Sequence, residues 1–105
     1  MTPDREPTRP EVDALAGTIL LEFGTDWCPY CLMLRPTVAA LLRQYPEVQH
    51  LAIEDGPGQP LGRSFGVKLW PTFVLMRDGQ VLQQLARPSP RAFEEAMQGI
   101  AETRA

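Results

Sequence analysis

Two cysteines, the only ones in the chain, stand three residues apart in Phe23-Gly24-Thr25-Asp26-Trp27-Cys28-Pro29-Tyr30-Cys31. An apolar run from Thr18 to Phe23 leads into this stretch and a helical pattern from Pro29 leads out of it. The arrangement predicts a strand, a short turn and a helix N-terminus with both thiols at the junction. There the first sulfur meets unpaired backbone N–H groups and the positive end of the helix, which support a thiolate. The second sulfur lies one helical turn further in, within reach of a disulfide to the first. Such a pair is built for thiol–disulfide exchange: Cys28 attacks a partner disulfide and Cys31 resolves the mixed intermediate. Pro29 suits the first helical turn, where its missing N–H costs nothing. Two other uses of the spacing stay open at this point, half of a zinc site and a purely structural disulfide. Against zinc, there is no third cysteine, and the single histidine, His50, lies beyond the helix.

At 105 residues with 44% hydrophobic side chains, the chain is long enough for one domain with a modest core, and no apolar run is long enough to span a bilayer. A net charge of -3 with mixed signs provides no basic patch, which argues against nucleic acid as a partner. Neither a metal nor a cofactor is expected, and the chain is read as a monomer. Met1 to Pro10 is polar with three prolines and lacks the apolar segment of a secretory signal. Cytoplasm is the expected location, where two reduced cysteines are stable; a periplasmic or exported location is expected instead if a leader once preceded this chain.

Residues 1–7 read as a flexible tail and 8–105 as a single domain. Thr8 and Glu11 form a capping box, with Val12, Leu15 and Ala16 as a short apolar face before Gly17. Ile19, Leu20 and Leu21 are continuous rather than alternating, as in a central strand covered on both faces. Glu22 interrupts them; a carboxylate there is either an edge effect or a buried group with a job, and its place just ahead of the cysteine turn favours the second. The helix from Pro29 to about Tyr45 carries Leu32, Leu34, Val38, Leu41 and Leu42 and is interrupted by Pro36. Val48 to Ile53 is a second strand, and Pro60 to Phe65 a short helix closed by Gly66. Thr72 to Met76 and Gln80 to Leu85 are strands joined at Asp78-Gly79, a tight hairpin signal. Ser89-Pro90 opens the last helix. Right-handed crossovers in the first half and a hairpin in the second give an α/β fold, a mixed four-stranded sheet with helices on both faces.

From about Val12 to Ile100 the chain resembles the thioredoxin family. The resemblance rests on Trp27-Cys28-Pro29-Tyr30-Cys31, on Pro36 in the following helix, on Trp70-Pro71-Thr72 entering the third strand and on Asp78-Gly79 in the hairpin. It implies a thioredoxin-like fold in which Pro71 is a cis proline opposite the cysteine turn and the backbone of Trp70 pairs with a bound peptide as an added strand. It also implies that Glu22 is the buried acid beneath the second cysteine and takes the proton of Cys31, directly or through a water. His50 falls where many members carry a lysine near that acid. Coupling to Glu22 and a purely structural role for His50 both remain open.

Departures from the family pattern bear on the substrate. Pro29-Tyr30 between the cysteines is similar to glutaredoxins, where ordinary thioredoxins have Gly-Pro. Yet Trp70 stands where glutaredoxins have a small aliphatic residue, and Arg87-Pro88-Ser89-Pro90 replaces their Gly-Gly-x-Asp element, so glutathione-binding features are not evident. Trp27 is a thioredoxin trait. The resemblance therefore implies a protein disulfide reductase, with client disulfides bound by Trp27, Pro29, Tyr30, Trp70, Pro71 and Arg87, and a dithiol reductase or small thiol as electron donor. Arg87 takes the place of a glycine that usually lets the partner approach. A glutathione-dependent reductase and a redox-inactive interaction domain are the alternatives.

Overall fold

The computed structural model describes residues 5–102, so Met1 to Asp4 of the expected tail lie outside the described residues. Within the rest of that segment Arg5 pairs with Glu11 at 2.9 Å and the Glu6 carboxylate accepts the Leu61 backbone N–H at 2.9 Å. The elements are α1 (Arg9–Asp13), β1 (Thr18–Gly24), α2 (Pro29–Gln44), β2 (Gln49–Glu54), α3 (Pro60–Ser64), β3 (Thr72–Arg77), β4 (Gln80–Ala86) and α4 (Pro90–Glu102). The sheet order is β2-β1-β3-β4, with β1 and β2 parallel and the other two pairings antiparallel. This is the expected α/β arrangement.

Why β1 lies at the centre is written in its side chains. Every residue from Thr18 to Gly24 is buried, because the pleat sends alternate residues into two different cores. Ile19, Leu21 and Phe23 join Val12, Ile53, Leu61, Val74 and Met76 on the side of α1 and α3. Leu20 joins Leu34, Val38, Leu41, Phe73, Leu75, Phe93 and Met97 on the side of α2 and α4. By the same alternation Glu22 and Gly24 face α2, the helix that carries the cysteines. The cysteine turn is thus the end of the best-packed strand in the molecule, with a core on each face.

Local signals account for the element ends. The Thr8 hydroxyl accepts from the Glu11 N–H and the Glu11 carboxylate from the Thr8 N–H, the full capping box. Ser89 caps α4 by accepting from the Ala92 N–H at 3.1 Å. In the hairpin Asp78 and Gly79 both have positive φ, 50° and 83°, as a two-residue turn matched to the strand twist requires.

Some details differ from the expectations, among them element ends by one residue. The second strand runs one residue later, from Gln49 to Glu54. In α1 the helix ends at Asp13; Val12 and Leu15 still pack inward, but Ala16 is exposed. Leu32 is also exposed, at 46%. Cys31 is itself apolar enough to hold the first inward position of α2, and the buried set then runs Cys31, Leu34, Val38, Leu41 at helical spacing, turning Leu32 outward.

Candidate active site

Cys28 is the N-cap of α2, with extended backbone, and its Sγ accepts the backbone N–H of Cys31 at 3.3 Å. A side chain at this position meets the orphan donors of the helix end, so negative charge on this sulfur has a hydrogen bond and the helix dipole to hold it. Both cysteines are free thiols. Cys28 is 4% exposed and Cys31 fully buried, so Cys28 is the more accessible of the two.

Cys31 is held as a thiol. Burial pushes its pKa up from 9.0 to about 11, with smaller contributions in the same direction from its contact with Cys28 and from the Glu22 carboxylate; a backbone hydrogen bond from Thr25 acts the other way. Because the folded state binds this proton more tightly than the unfolded chain, the stabilisation is fully present below about pH 9 and is lost as pH rises through about 11. Reduced wild-type protein should lose up to roughly 3 kcal/mol of stability across that interval through this group. Denaturant titrations at several pH values check this: the alkaline slope should be shallower in Cys31→Ala, and identical slopes would remove Cys31 as its source.

Gly24 explains how Cys31 comes to lie so close to the sheet. A Cβ built on Gly24 would sit 2.5 Å from Cys31 Sγ, well inside contact distance. The missing side chain is the space the sulfur occupies, and a glycine inside a strand is the one sequence signal that marks such an approach. Gly24→Ala should therefore displace the thiol, costing about 1–3 kcal/mol by overpacking and slowing release of a bound client. Unchanged melting and unchanged release kinetics together would show that the sulfur relaxes freely.

Glu22 is almost fully buried, and its Oε1 lies 2.8 Å from His50 Nε2. The strand register makes the pair. Glu22 lies opposite Ala52 on β2, and His50, two residues earlier, projects on the same face. Of the two readings of His50, the structure brings it to the acid. A surface pocket of about 460 Å³ lies along this pair, lined by Glu22, Asp26, Arg35, Ala39, Leu42, His50 and Ala52. The pocket brings solvent to the neighbourhood of the buried carboxylate.

The groove beside Cys28 is assembled from three segments. Trp70-Pro71 is a cis peptide, and the Trp70 carbonyl lies 3.9 Å from Cys28 Sγ. Trp27, 69% exposed, meets Trp70 edge to face, with ring centroids 5.6 Å apart. The Trp70 indole N–H donates to Asp55 at 2.9 Å, which fixes the ring. Asp55 had no local signal in the sequence, since it lies in a Gly- and Pro-rich loop. Arg87 enters from the end of β4 with φ 47°; its Nε donates to the Trp70 carbonyl at 2.9 Å and its guanidinium lies over the Tyr30 ring at 4.0 Å. Trp27, Tyr30, Trp70, Pro71 and Arg87 are thus gathered around one sulfur. Among the described residues no cluster of His, Cys, Asp and Glu suits a metal ion.

The chain matches the thioredoxin family model over residues 7–99. Among solved structures, thioredoxin 2 from Pseudomonas aeruginosa PAO1 in its reduced form is 51% identical, with a TM-score of 0.84, covering 94% of this chain and 93% of that one. Thioredoxin from Chlamydia muridarum is 33% identical over 73 residues, 69% of this chain and 72% of its own length. Mitochondrial thioredoxin-3 from Saccharomyces cerevisiae is 27% identical over 82 residues, 78% of this chain. The match spans 65% of the length of that yeast relative and 46% of a chloroplastic F-type thioredoxin from Brassica napus.

Proposed function

Because the chain belongs to the thioredoxin family, we propose that it is a thiol–disulfide oxidoreductase that reduces the disulfides of client proteins. The observation that carries this is the Cys28–Cys31 pair itself: one sulfur at a helix N-cap facing an aromatic groove, the other buried behind it and close enough to Glu22 to feel its charge.

The electron balance follows from the geometry. The Cys28 thiolate attacks one sulfur of a client disulfide, the client S–S bond breaks, and the first client thiolate departs. Cys31 gives up its proton, which Glu22 accepts, and attacks Cys28 Sγ. The mixed disulfide breaks, the second client sulfur leaves as a thiolate, and Cys28 and Cys31 end as a disulfide two electrons poorer. A dithiol donor, a reductase of the thioredoxin-reductase kind, restores the thiols. Glu22 returns its proton to solvent through His50 and the adjoining pocket. An extended client lies against Trp27 and along the Trp70-Pro71 backbone, and we place the protein as a monomer in the reducing cytoplasm.

The glutaredoxin-like alternative rests on Pro29-Tyr30 alone, while Trp27 and Trp70 fill the surroundings with bulk suited to a peptide. Reduction of insulin by dithiothreitol tests the proposal: catalytic amounts of the protein should accelerate it clearly, and no acceleration would leave the chain a redox-inactive binding domain. Replacing dithiothreitol by glutathione and its reductase separates the donors, and comparable turnover with glutathione would move the assignment to glutaredoxin.

A further inference from the structure

We propose that Arg87 is a specificity-determining clamp across the client groove, selecting disulfides whose flanking sequence carries a carboxylate. The inference rests on the reductase reading above and adds a substrate class to it.

Arg87 is an arginine in left-handed backbone, φ 47°, a conformation that disfavours any residue with a Cβ. Two contacts hold its side chain over the groove. Its Nε donates to the Trp70 carbonyl, and its guanidinium covers the Tyr30 ring. The Trp70 carbonyl is also the acceptor beside Cys28 Sγ, the backbone group to which a client adding as a strand must offer an N–H. That oxygen has two lone pairs: Arg87 takes one, and the other, which the Cys28 thiol uses in the free protein, is released once Cys28 attacks as a thiolate. A client seated on Trp70 therefore lies against the guanidinium.

Seating it removes water from a group with five N–H donors, of which the structure assigns only Nε a hydrogen bond. A neutral client leaves the outer donors buried without partners, a penalty that falls on the bound state alone. A client carboxylate takes two of them in the planar fork that guanidinium offers. The stacked Tyr30 ring keeps the fork oriented before the client arrives, so little ordering is required on binding. Tyr30 also lies between the two cysteines, so the carboxylate is read within a few residues of the sulfur under attack.

The test uses three peptides with one intramolecular disulfide each, identical except for Glu, Gln or Lys next to the reactive cysteine. Their reduction by the fully reduced protein is followed in single turnovers. Wild type should reduce the Glu peptide roughly tenfold faster than the Gln peptide at limiting concentration, and the Lys peptide more slowly still. The Glu advantage should fall as salt is raised. Arg87→Gly, whose backbone suits the positive φ, should reduce Glu and Gln peptides equally, and Arg87→Lys should keep only part of the preference, because an ammonium lacks the fork. Equal rates for all three peptides with wild type, or a Glu preference that survives in Arg87→Gly, overturns the clamp and leaves the reductase reading standing. Failure to reduce any of the peptides overturns both.

Discussion

Cys28→Ser should reduce insulin turnover to the uncatalysed background, a loss of at least about a thousandfold, the scale on which an essential nucleophile acts. A hydroxyl at the same N-cap still accepts the Cys31 N–H, so the helix start is preserved and the protein should stay folded; what disappears is the sulfur that attacks the client disulfide. Cys31→Ala fails differently. Its Cys28 still attacks, but nothing behind it breaks the bond that forms, and covalent protein–client complexes should accumulate in stoichiometric amounts, visible by intact mass and dissolved by dithiothreitol. The 4% and 0% exposures of the two cysteines carry the assignment. Limiting alkylation of reduced wild type decides it: labelling of Cys31 ahead of Cys28 would reverse the roles.

Glu22→Gln should slow client release without unfolding the protein. Burial is the largest cause of the raised Cys31 pKa and persists when Cys28 is tied up with a client. A thiol with a pKa of about 11 is ionised to about one part in ten thousand at pH 7. A nearby base removes that handicap by taking the proton as the sulfur attacks, an effect typically of about 10²–10⁴-fold. Without the carboxylate, release should depend on the spontaneous thiolate fraction and climb nearly tenfold per pH unit from pH 6 to 9, whereas wild type should vary less steeply near neutrality. A glutamine keeps the volume and a hydrogen-bonding group toward His50, and a buried carboxylate is costly to retain, so melting temperature should hold or rise. Stopped-flow release measured from pH 6 to 9 checks it, and superimposable profiles for the two proteins would leave Glu22 a structural residue.

How much of this was legible in the sequence depends on the range of the interactions. Local chemistry read well: the Thr8 capping box, the Ser89 cap, the Asp78-Gly79 turn and the N-cap position of Cys28 are each decided within four residues. The burial of β1 was readable because apolar residues on consecutive positions point to both faces of a strand, and both must then be covered. Leu32 misled, since hydropathy alone does not show that a cysteine holds the inward position one residue away. Groove contacts were the least legible. Asp55 beneath Trp70 and Arg87 over Tyr30 join segments that lie 15 and 57 residues apart, and no periodicity encodes such meetings. His50 was intermediate: its strand was visible, but its pairing with Glu22 depended on a β1–β2 register that a slip would have destroyed.

Trp27 and Trp70 are the only tryptophans in the chain, and they meet edge to face beside Cys28. Selective excitation of indole therefore illuminates the redox centre alone, with no emission from the rest of the core to dilute the signal. The molecule carries its own optical probe, with one ring open to solvent and the other fixed by Asp55. Disulfide closure, client docking and release can each be followed by intrinsic fluorescence on unlabelled protein, on the timescale of the reaction itself.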